Sequence, residues 1–282
     1  DSVYVTASRP YSKYQAHRNP AFAQGDPELA NLMRKKKVIS RPIDKKDHYI
    51  KRCLGLPGDS VEIINRQVYV NNEPLENPTH MQFSYQLLNP NGTFSVKNLK
   101  KYGIFESDFY APVNSPQNLA YLDSEQVEII RKNFPQVSLK IRQYKDPRPK
   151  ALFPNDPKNF NTWTIDDYGP IYIPKAGEKV VITPKNIALY RRIIDVYENH
   201  DLEIKNGRIF IDGQQTTEYT FEQNYYWAMG DNRHGSEDSR FWGFVPFDHM
   251  VGKPIFIWMS LQDGNLFKGI RWNRLFTGAN KM

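Results

Sequence analysis

The sequence predicts a mainly β protein of antiparallel sheets, with a large lobe of different character set into it. Three observations lead there. Aromatic residues make up 13% of the chain, chiefly Tyr and Phe, and together with many β-branched runs they favour pleated sheet over helix. A pattern of about a dozen residues occurs twice, from Val61 to Asn72 and from Leu202 to Gly213, each copy reading as strand, tight turn, strand. Between the copies, residues 78–162 are rich in Asn, Pro, Gln, Tyr and Phe and lose the alternation of strands. The predicted organisation is therefore a discontinuous core, residues 1–77 and 163–282, with an α+β lobe inserted over 78–162.

In chain order, residues 1–9 alternate like a strand and residues 10–26 read as a loop. Asp26-Pro27-Glu28-Leu29 opens a short helix that runs to Lys35-Lys36-Lys37, with Asp26 as the cap and Pro27 in the first turn. Val38 to Arg41 and His48 to Leu54 read as strands, and Gly55 to Asp59 as a turn. The first hairpin follows. Within the lobe one helix is predicted from Ser124 to Asn133, where Asp123 and Gln126 resemble a capping box. Strands are expected at Ile171 to Ile173 and Val180 to Ile182. Thr183-Pro184 then starts a helix whose Ile187, Tyr190, Ile194 and Tyr197 fall at helical spacing. Further strands are expected over 202–212, 218–229 and 251–261, before a tail from Gly269 to Phe276.

The chain is long enough, at 282 residues, to bury a substantial core. Its net charge of +7 suits work beside an anionic membrane surface. Lys and Arg are spread along the chain rather than gathered in a stripe, which argues against nucleic acid. A single cysteine, Cys53, rules out an internal disulfide. The longest largely apolar run, Ile255 to Leu261, is seven residues with Ser260 inside it, against about 20 for a membrane span. No signal peptide is visible, and Asp1-Ser2-Val3-Tyr4-Val5 starts as a strand already under way, which reads as a boundary rather than a natural start. The six histidines, His17, His48, His80, His200, His234 and His249, show no short metal spacing. No metal or cofactor is expected. Gly55 to Gly58 is too short for a phosphate loop, and nothing around Cys53 supports a cysteine nucleophile.

Two segments carry chemistry. In the first, Tyr49 to Asp59, a strand would put Tyr49, Lys51 and Cys53 on one face and Ile50, Arg52 and Leu54 on the other. Burial of the first face would strip water from the Lys51 ammonium and favour the neutral amine that a general base needs. The alternative is an edge-strand lysine reaching into solvent. The second segment, Met229 to Pro246, packs acids, arginines and hydroxyls directly behind an aromatic strand. It can fold as an ion-paired network that holds a neighbouring lysine, or lie as a solvated polar loop. Trp258, Phe267, Trp272 and Phe276, with basic neighbours, suit either a membrane-interface belt or core and rim.

These segments resemble the lysine box and the Gly-Asp-Asn-Arg box of bacterial type I signal peptidases. Lys51 through Asp59 fits Lys-Arg-x-x-Gly-x-Pro-Gly-Asp. Gly230 through Val245 fits Gly-Asp-Asn-Arg-x-x-Ser-x-Asp-Ser-Arg-x-x-Gly-x-Val without a departure. The flanks Val61 to Asn72 and Val251-Gly252-Lys253-Pro254 are similar too. The middle segment and the tail Ile270 to Arg274 look most like Bacteroides-type versions. The resemblance implies a catalytic core of coiled antiparallel sheet and a Ser/Lys dyad acting without metal. By it Lys51 is the general base and Ser236 orients that lysine. Asp238 and Arg240 are a structural ion pair. Asp231, Asn232, Arg233 and Ser239 belong to the same network, and Arg52 is structural. It further implies preprotein signal peptides as substrates, bound as an added strand, and a place at the inner membrane with the catalytic portion facing the periplasm.

One departure stands out. The family's nucleophile lies in a Ser-Met pair upstream of the lysine box, and no Ser-Met occurs in these residues. The family's oxyanion hole and membrane anchor belong to the same missing segment. The chain by itself is therefore expected not to cleave a signal peptide. Two rivals remain: a non-catalytic β-rich envelope protein that binds exported polypeptides, and a different Ser/Lys peptidase of the self-cleaving repressor kind.

Overall fold

The structure, a computed structural model, describes residues 49–88, 96–105, 108–109, 119–144, 152–261 and 269–278. The strands, loop and helix expected over residues 1–48 lie outside the described residues.

The first strand, β1, spans Arg52–Gly55, and β2 (Ser60–Ile64), β3 (Gln67–Val70) and β4 (Glu73–Pro74) follow it. β5 (Phe83–Leu88), helix α1 (Val96–Lys100), β6 (Leu119–Leu122), helix α2 (Ser124–Asn133) and β7 (Ser138–Ile141) come next. After them stand β8 (Tyr168–Tyr172), β9 (Lys179–Val181) and helix α3 (Ile187–Arg192), which passes into a π-helical turn over Ile193–Tyr197. β10 (Leu202–Lys205), β11 (Arg208–Ile211), β12 (Gln214–Gln215), β13 (Glu218–Thr220) and β14 (Tyr225–Met229) then lead to helix α4 (Ser239–Trp242). β15 (Val245–Pro246), β16 (Phe256–Ile257) and β17 (Thr277–Gly278) complete the described strands. The structure is mainly β with antiparallel sheets, as the composition and hairpin patterns predict.

The chain divides into two compact units. The first comprises residues 1–73, 145–228 and 237–250. Its described sheets run β4-β3-β2-β8, β1-β14-β15, β10-β11-β12 and β13-β9. Trp227, Tyr225, Phe221, Phe244 and Phe153 fill its interior together with Val61, Val68 and Ile171, all buried. Removing this apolar area from water supplies most of the unit's stability, at about 25 cal/mol per Å2.

The repeat in the sequence is a repeat in space. β2 and β3 pair with Val61 opposite Val70, and β10 and β11 pair with Leu202 opposite Ile211. Their two-residue turns, Asn65-Arg66 (φ 48° and 74°) and Asn206-Gly207 (φ 52° and 73°), use the left-handed backbone that matches the twist of a hairpin. Each copy then makes a second such turn, at Asn71-Asn72 and Asp212-Gly213. Even side chains correspond. Asn71 Oδ1 accepts from the Ser60 N–H at 2.9 Å, and Asp212 Oδ1 accepts from the Asp201 N–H at 2.8 Å. One exchange separates the copies. The Asn71 amide donates to Asp59 at 2.8 Å, whereas at the equivalent place Asp212 meets the His200 ring at 2.7 Å.

The second unit comprises residues 74–144, 229–236 and 251–282. β6-β5-β7 is its main described sheet, and Ser84 pairs with Tyr121 in its register. α2 carries the predicted capping box: the Asp123 side chain accepts from the Gln126 N–H at 2.8 Å, and the Gln126 side chain returns a bond to the Asp123 N–H at 3.0 Å. Val127 and Ile130 of α2 pack with Leu87, Leu99, Ile104 and Leu122 into a core of this unit's own. β16 and β17 pair separately, Phe256 opposite Gly278.

Some boundaries differ from expectation. The strand expected from His48 begins at Arg52, and that expected over 251–261 is strand only at Phe256–Ile257. Pro254 has no N–H to give a ladder, which shortens the second. The helix expected from Thr183 starts at Ile187 because Thr183, Pro184 and Asn186 form a closed turn first, in which the Asn186 side-chain oxygen Oδ1 accepts from the Thr183 N–H at 2.7 Å.

Candidate active site

Lys51 stands one residue before β1, and β1 is the neighbour of β14 in its sheet. The strand that follows the lysine and the strand that runs into the Gly-Asp-Asn-Arg box thus share one sheet. The Lys51 side chain is half-buried, and its Nζ lies 5.8 Å from the centre of the Tyr49 ring, within reach of a cation–π contact. Tyr49 is 75% exposed and Cys53 is exposed, so those two side chains do not wall the amine off from solvent. Arg52 is exposed, while Leu54, expected on the same face, is buried.

The second segment is not a solvated loop. Ser236, Asp238, Ser239 and Arg240 are all 9% exposed or less. Asp238 caps α4 from an extended backbone, its carboxylate accepting from the Arg240 N–H at 3.2 Å. The same carboxylate grips the Arg240 guanidinium with two parallel bonds, Nε to Oδ1 at 2.9 Å and Nη2 to Oδ2 at 2.8 Å. Both side chains are nearly water-free, at 0% and 1% exposure. A bidentate fork is the geometry in which a buried pair recovers its desolvation cost. The Arg240 carbonyl accepts from the Phe153 N–H at 2.8 Å, and the Phe153 carbonyl accepts from the Tyr168 hydroxyl at 2.8 Å. Burial holds the Tyr168 phenol well above its ordinary range. Ser239 Oγ accepts from the Ala228 N–H at 2.9 Å, tying the start of α4 to β14. The pair therefore fixes the segment that leaves the box, in one rigid arrangement.

Within the second unit, the box enters beside β5. Asp231 and Asn232 are half-buried and Arg233 is buried. The Gln82 N–H donates to the Asp231 carbonyl at 2.9 Å, and the Arg233 N–H donates to the Gln82 carbonyl at 2.9 Å. The loop then turns. The Gly235 N–H donates to the Asn232 side-chain oxygen at 3.0 Å. A side chain at Gly235 would sit 2.7 Å from the Asn232 amide nitrogen and 2.8 Å from the Tyr121 ring, so only glycine fits between them.

Sequence reasoning missed three features. Glu198 is buried and accepts from the hydroxyls of Tyr219 and Tyr225, the latter at 2.8 Å. Burial first, and then the bond to this carboxylate, drives both phenols far above their usual range. His200 stands between Asp212 and Glu222, at 2.7 and 3.0 Å. Burial works against its charge, but the two carboxylates outweigh it and raise its pKa. His234 accepts at Nδ1 from the Ser84 N–H at 3.1 Å. No spacing in the sequence signals any of these, because each joins residues on separate strands or loops.

Of the aromatic group, Trp258, Trp272 and Phe276 are 65%, 71% and 72% exposed, which excludes them from the core. Phe267 lies outside the described residues. Among the described residues, no group of His, Cys, Asp and Glu could hold a metal ion, and no helix is long and apolar enough to cross a membrane.

Comparison with known proteins converges on one family. The family model described as signal peptidase, peptidase S26 matches residues 22–124 and 176–259, a span that takes in both boxes. Signal peptidase I of Haemophilus influenzae is 38% identical over 107 residues, 37% of this chain and 30% of that protein. Signal peptidase I of Buchnera aphidicola subsp. Baizongia pistaciae is 25% identical over 244 residues, 84% of this chain and 59% of that protein. Signal peptidase I of Aquifex aeolicus is 50% identical over 42 residues, 15% of this chain and 16% of that protein. The chain thus spans between a sixth and three fifths of the length of these relatives. The match covers the lysine box, the first hairpin and the whole Gly-Asp-Asn-Arg box, and extends over about two thirds of the sequence: the chain belongs to the signal peptidase family, peptidase S26.

Proposed function

We propose that the protein is a serine endopeptidase that removes signal peptides from exported preproteins, with Lys51 as general base and Ser236 as the group that orients it. The observation that carries this reading is the burial of Ser236, Asp238, Ser239 and Arg240, with Asp238 and Arg240 locked in a bidentate pair. A polar binding surface for exported chains has no need to enclose four such side chains. A catalytic loop does, since fixed geometry converts binding into rate.

In the proposed reaction the Lys51 amine takes the proton of a serine hydroxyl as its oxygen attacks the scissile carbonyl. The protonated amine then delivers that proton to the leaving amine, and an acyl-enzyme forms. Water, deprotonated in turn by Lys51, releases the acyl group and frees the serine. The serine belongs to a Ser-Met pair that these 282 residues do not contain. Arg52, Asp231, Asn232 and Arg233 shape the surroundings of the dyad, and Asp238, Ser239 and Arg240 support it from beneath.

The substrate is a preprotein with small residues before the cleavage point, added as a strand. The working place is the inner membrane, with the catalytic portion facing the periplasm beside anionic lipid. The exposed Val251, Ile255, Phe256, Trp258, Trp272 and Phe276 support that placement, since aromatic and apolar side chains favour the headgroup boundary.

The test is preprotein cleavage by the complete gene product, with any residues encoded upstream of Asp1, carrying Lys51→Ala or Ser236→Ala. The proposal expects Lys51→Ala to abolish turnover and Ser236→Ala to reduce it about 100-fold, the scale of one group in general base catalysis. Full activity in Lys51→Ala would remove Lys51 as the general base, and no cleavage by the unaltered complete gene product would favour the non-catalytic envelope protein instead.

A further inference from the structure

We propose that His234 is a positioning residue for Ser236, acting as a proton-sensitive latch between the Gly-Asp-Asn-Arg box and strand β5. The inference rests on the reading of Ser236 given above. It starts from the edge of β5. In an extended strand the N–H and C=O of one residue point the same way, and so do those of the residue two places on. The Gln82 N–H and C=O both bond the box, to Asp231 and Arg233, in a short parallel bridge centred on Asn232. Two residues on, the Ser84 carbonyl accepts from the Arg142 N–H at 2.8 Å, just past β7. The Ser84 N–H points to that same edge. The box turns at Asn232–Gly235, and the His234 ring accepts from this N–H, its Nδ1 at 3.1 Å from the Ser84 nitrogen.

That geometry fixes the ring's state. A backbone N–H can only donate, so Nδ1 holds a lone pair and the imidazole is neutral. Protonation would set N–H against N–H and break the bond. The ring is buried and held edge-on between Phe83, at 5.1 Å, and Tyr144, at 4.8 Å. Charged or titratable groups near it among the described residues include Tyr144, with the Arg142 guanidinium 4.9 Å from the centre of that ring, and Asp231 and Arg233 on its own loop. Tyr121 closes against the next residue, Gly235. Gly235 alone separates His234 from Ser236, so the ring's bond to β5 lies two residues from that serine. Releasing the ring removes a contact between the box and β5 that lies downstream of the bridge at Gln82.

The test uses the complete gene product with any upstream residues, and a preprotein substrate followed from pH 5.5 to 9. His234→Ala should lower kcat about tenfold at pH 8, the size of one hydrogen bond, with KM little changed. His234→Asn, whose side-chain oxygen can take the place of Nδ1 and does not titrate, should restore kcat. It should also reduce the slope of the acid limb of log kcat/KM, because a proton-sensitive group has gone. Hydrogen exchange supplies a readout independent of turnover: the Ser84 amide should lose protection in His234→Ala and keep it in His234→Asn. Wild-type kcat in His234→Ala, or an acid limb in His234→Asn as steep as in wild type, would overturn the latch. Ser236→Ala separates the two layers. If it is fully active, the reading of Ser236 fails. If it is impaired while His234→Ala is not, only the latch fails.

Discussion

Replacing Asp238 with Asn should destabilise the first unit by about 3–5 kcal/mol, the range for stripping one partner from a buried ion pair. The magnitude follows from what remains. Arg240 is 1% exposed, its Nε and Nη2 are both held by the carboxylate, and its Nη1 reaches the Ile165 carbonyl only at 3.5 Å. An asparagine can still accept from the Arg240 N–H and keep the helix cap, but it takes the charged acceptor away from a guanidinium in a nearly dry site. Asp238→Ala removes the cap as well and should cost about 1 kcal/mol more. For a protein of this size, 3–5 kcal/mol is a fall in Tm of about 6–20 °C. The assay is thermal unfolding followed by near-ultraviolet circular dichroism, where the packed Trp227, Phe153, Tyr168 and Phe244 report on the same unit. A loss below about 1 kcal/mol in Asp238→Asn would refute the view that this pair sets the architecture of the box.

Other expectations concern charge and close contact elsewhere. His200 titrates above its ordinary value in the folded chain, so its clasp with Asp212 and Glu222 contributes fully below about pH 6.5, the unfolded value, and fades as pH rises through the folded one. The stability gap between wild type and His200→Gln should therefore be widest near pH 6 and shrink toward pH 9; a gap that grows with pH would reverse the assignment. Glu198→Gln removes the charge-assisted acceptor of Tyr219 and Tyr225; it should cost about 2 kcal/mol and bring phenol ionisation to lower pH in an ultraviolet titration, and an unchanged titration would contradict this. Gly55→Ala would push a methyl to 2.7 Å from Val61 and 3.1 Å from Ile173 and Trp227; overpacking of that kind costs about 1–3 kcal/mol, measured by chemical denaturation.

What the sequence made legible was local. The capping box at Asp123 and Gln126 needs only four consecutive residues, and α2 lies over the predicted span. The two hairpins were legible because Asn-Gly and its neighbours specify a left-handed turn whatever surrounds them. The pairing of Asp238 with Arg240 was legible through resemblance, since no rule of spacing says that an acid two residues before an arginine forms a buried fork. What stayed hidden depends on distant partners. Glu198 needs Tyr219 and Tyr225, and His234 needs Ser84, 150 residues away. The burial of Arg240 depends on Phe153 and Ile165 arriving from another part of the chain. Tyr49 misled in the opposite direction: its aromatic ring suggested a covered face beside Lys51, yet an apolar side chain on a protein surface is common, and Tyr49 is exposed.

The central claim is that Lys51 works by accepting a proton rather than by carrying charge. Lys51→Arg separates the two, because a guanidinium keeps the charge and much of the reach but cannot act as a base at any working pH. In the complete gene product, with KM and unfolding temperature near those of wild type, this variant should lose about 1,000-fold or more in kcat for preprotein cleavage. Turnover within a few-fold of wild type would contradict the account.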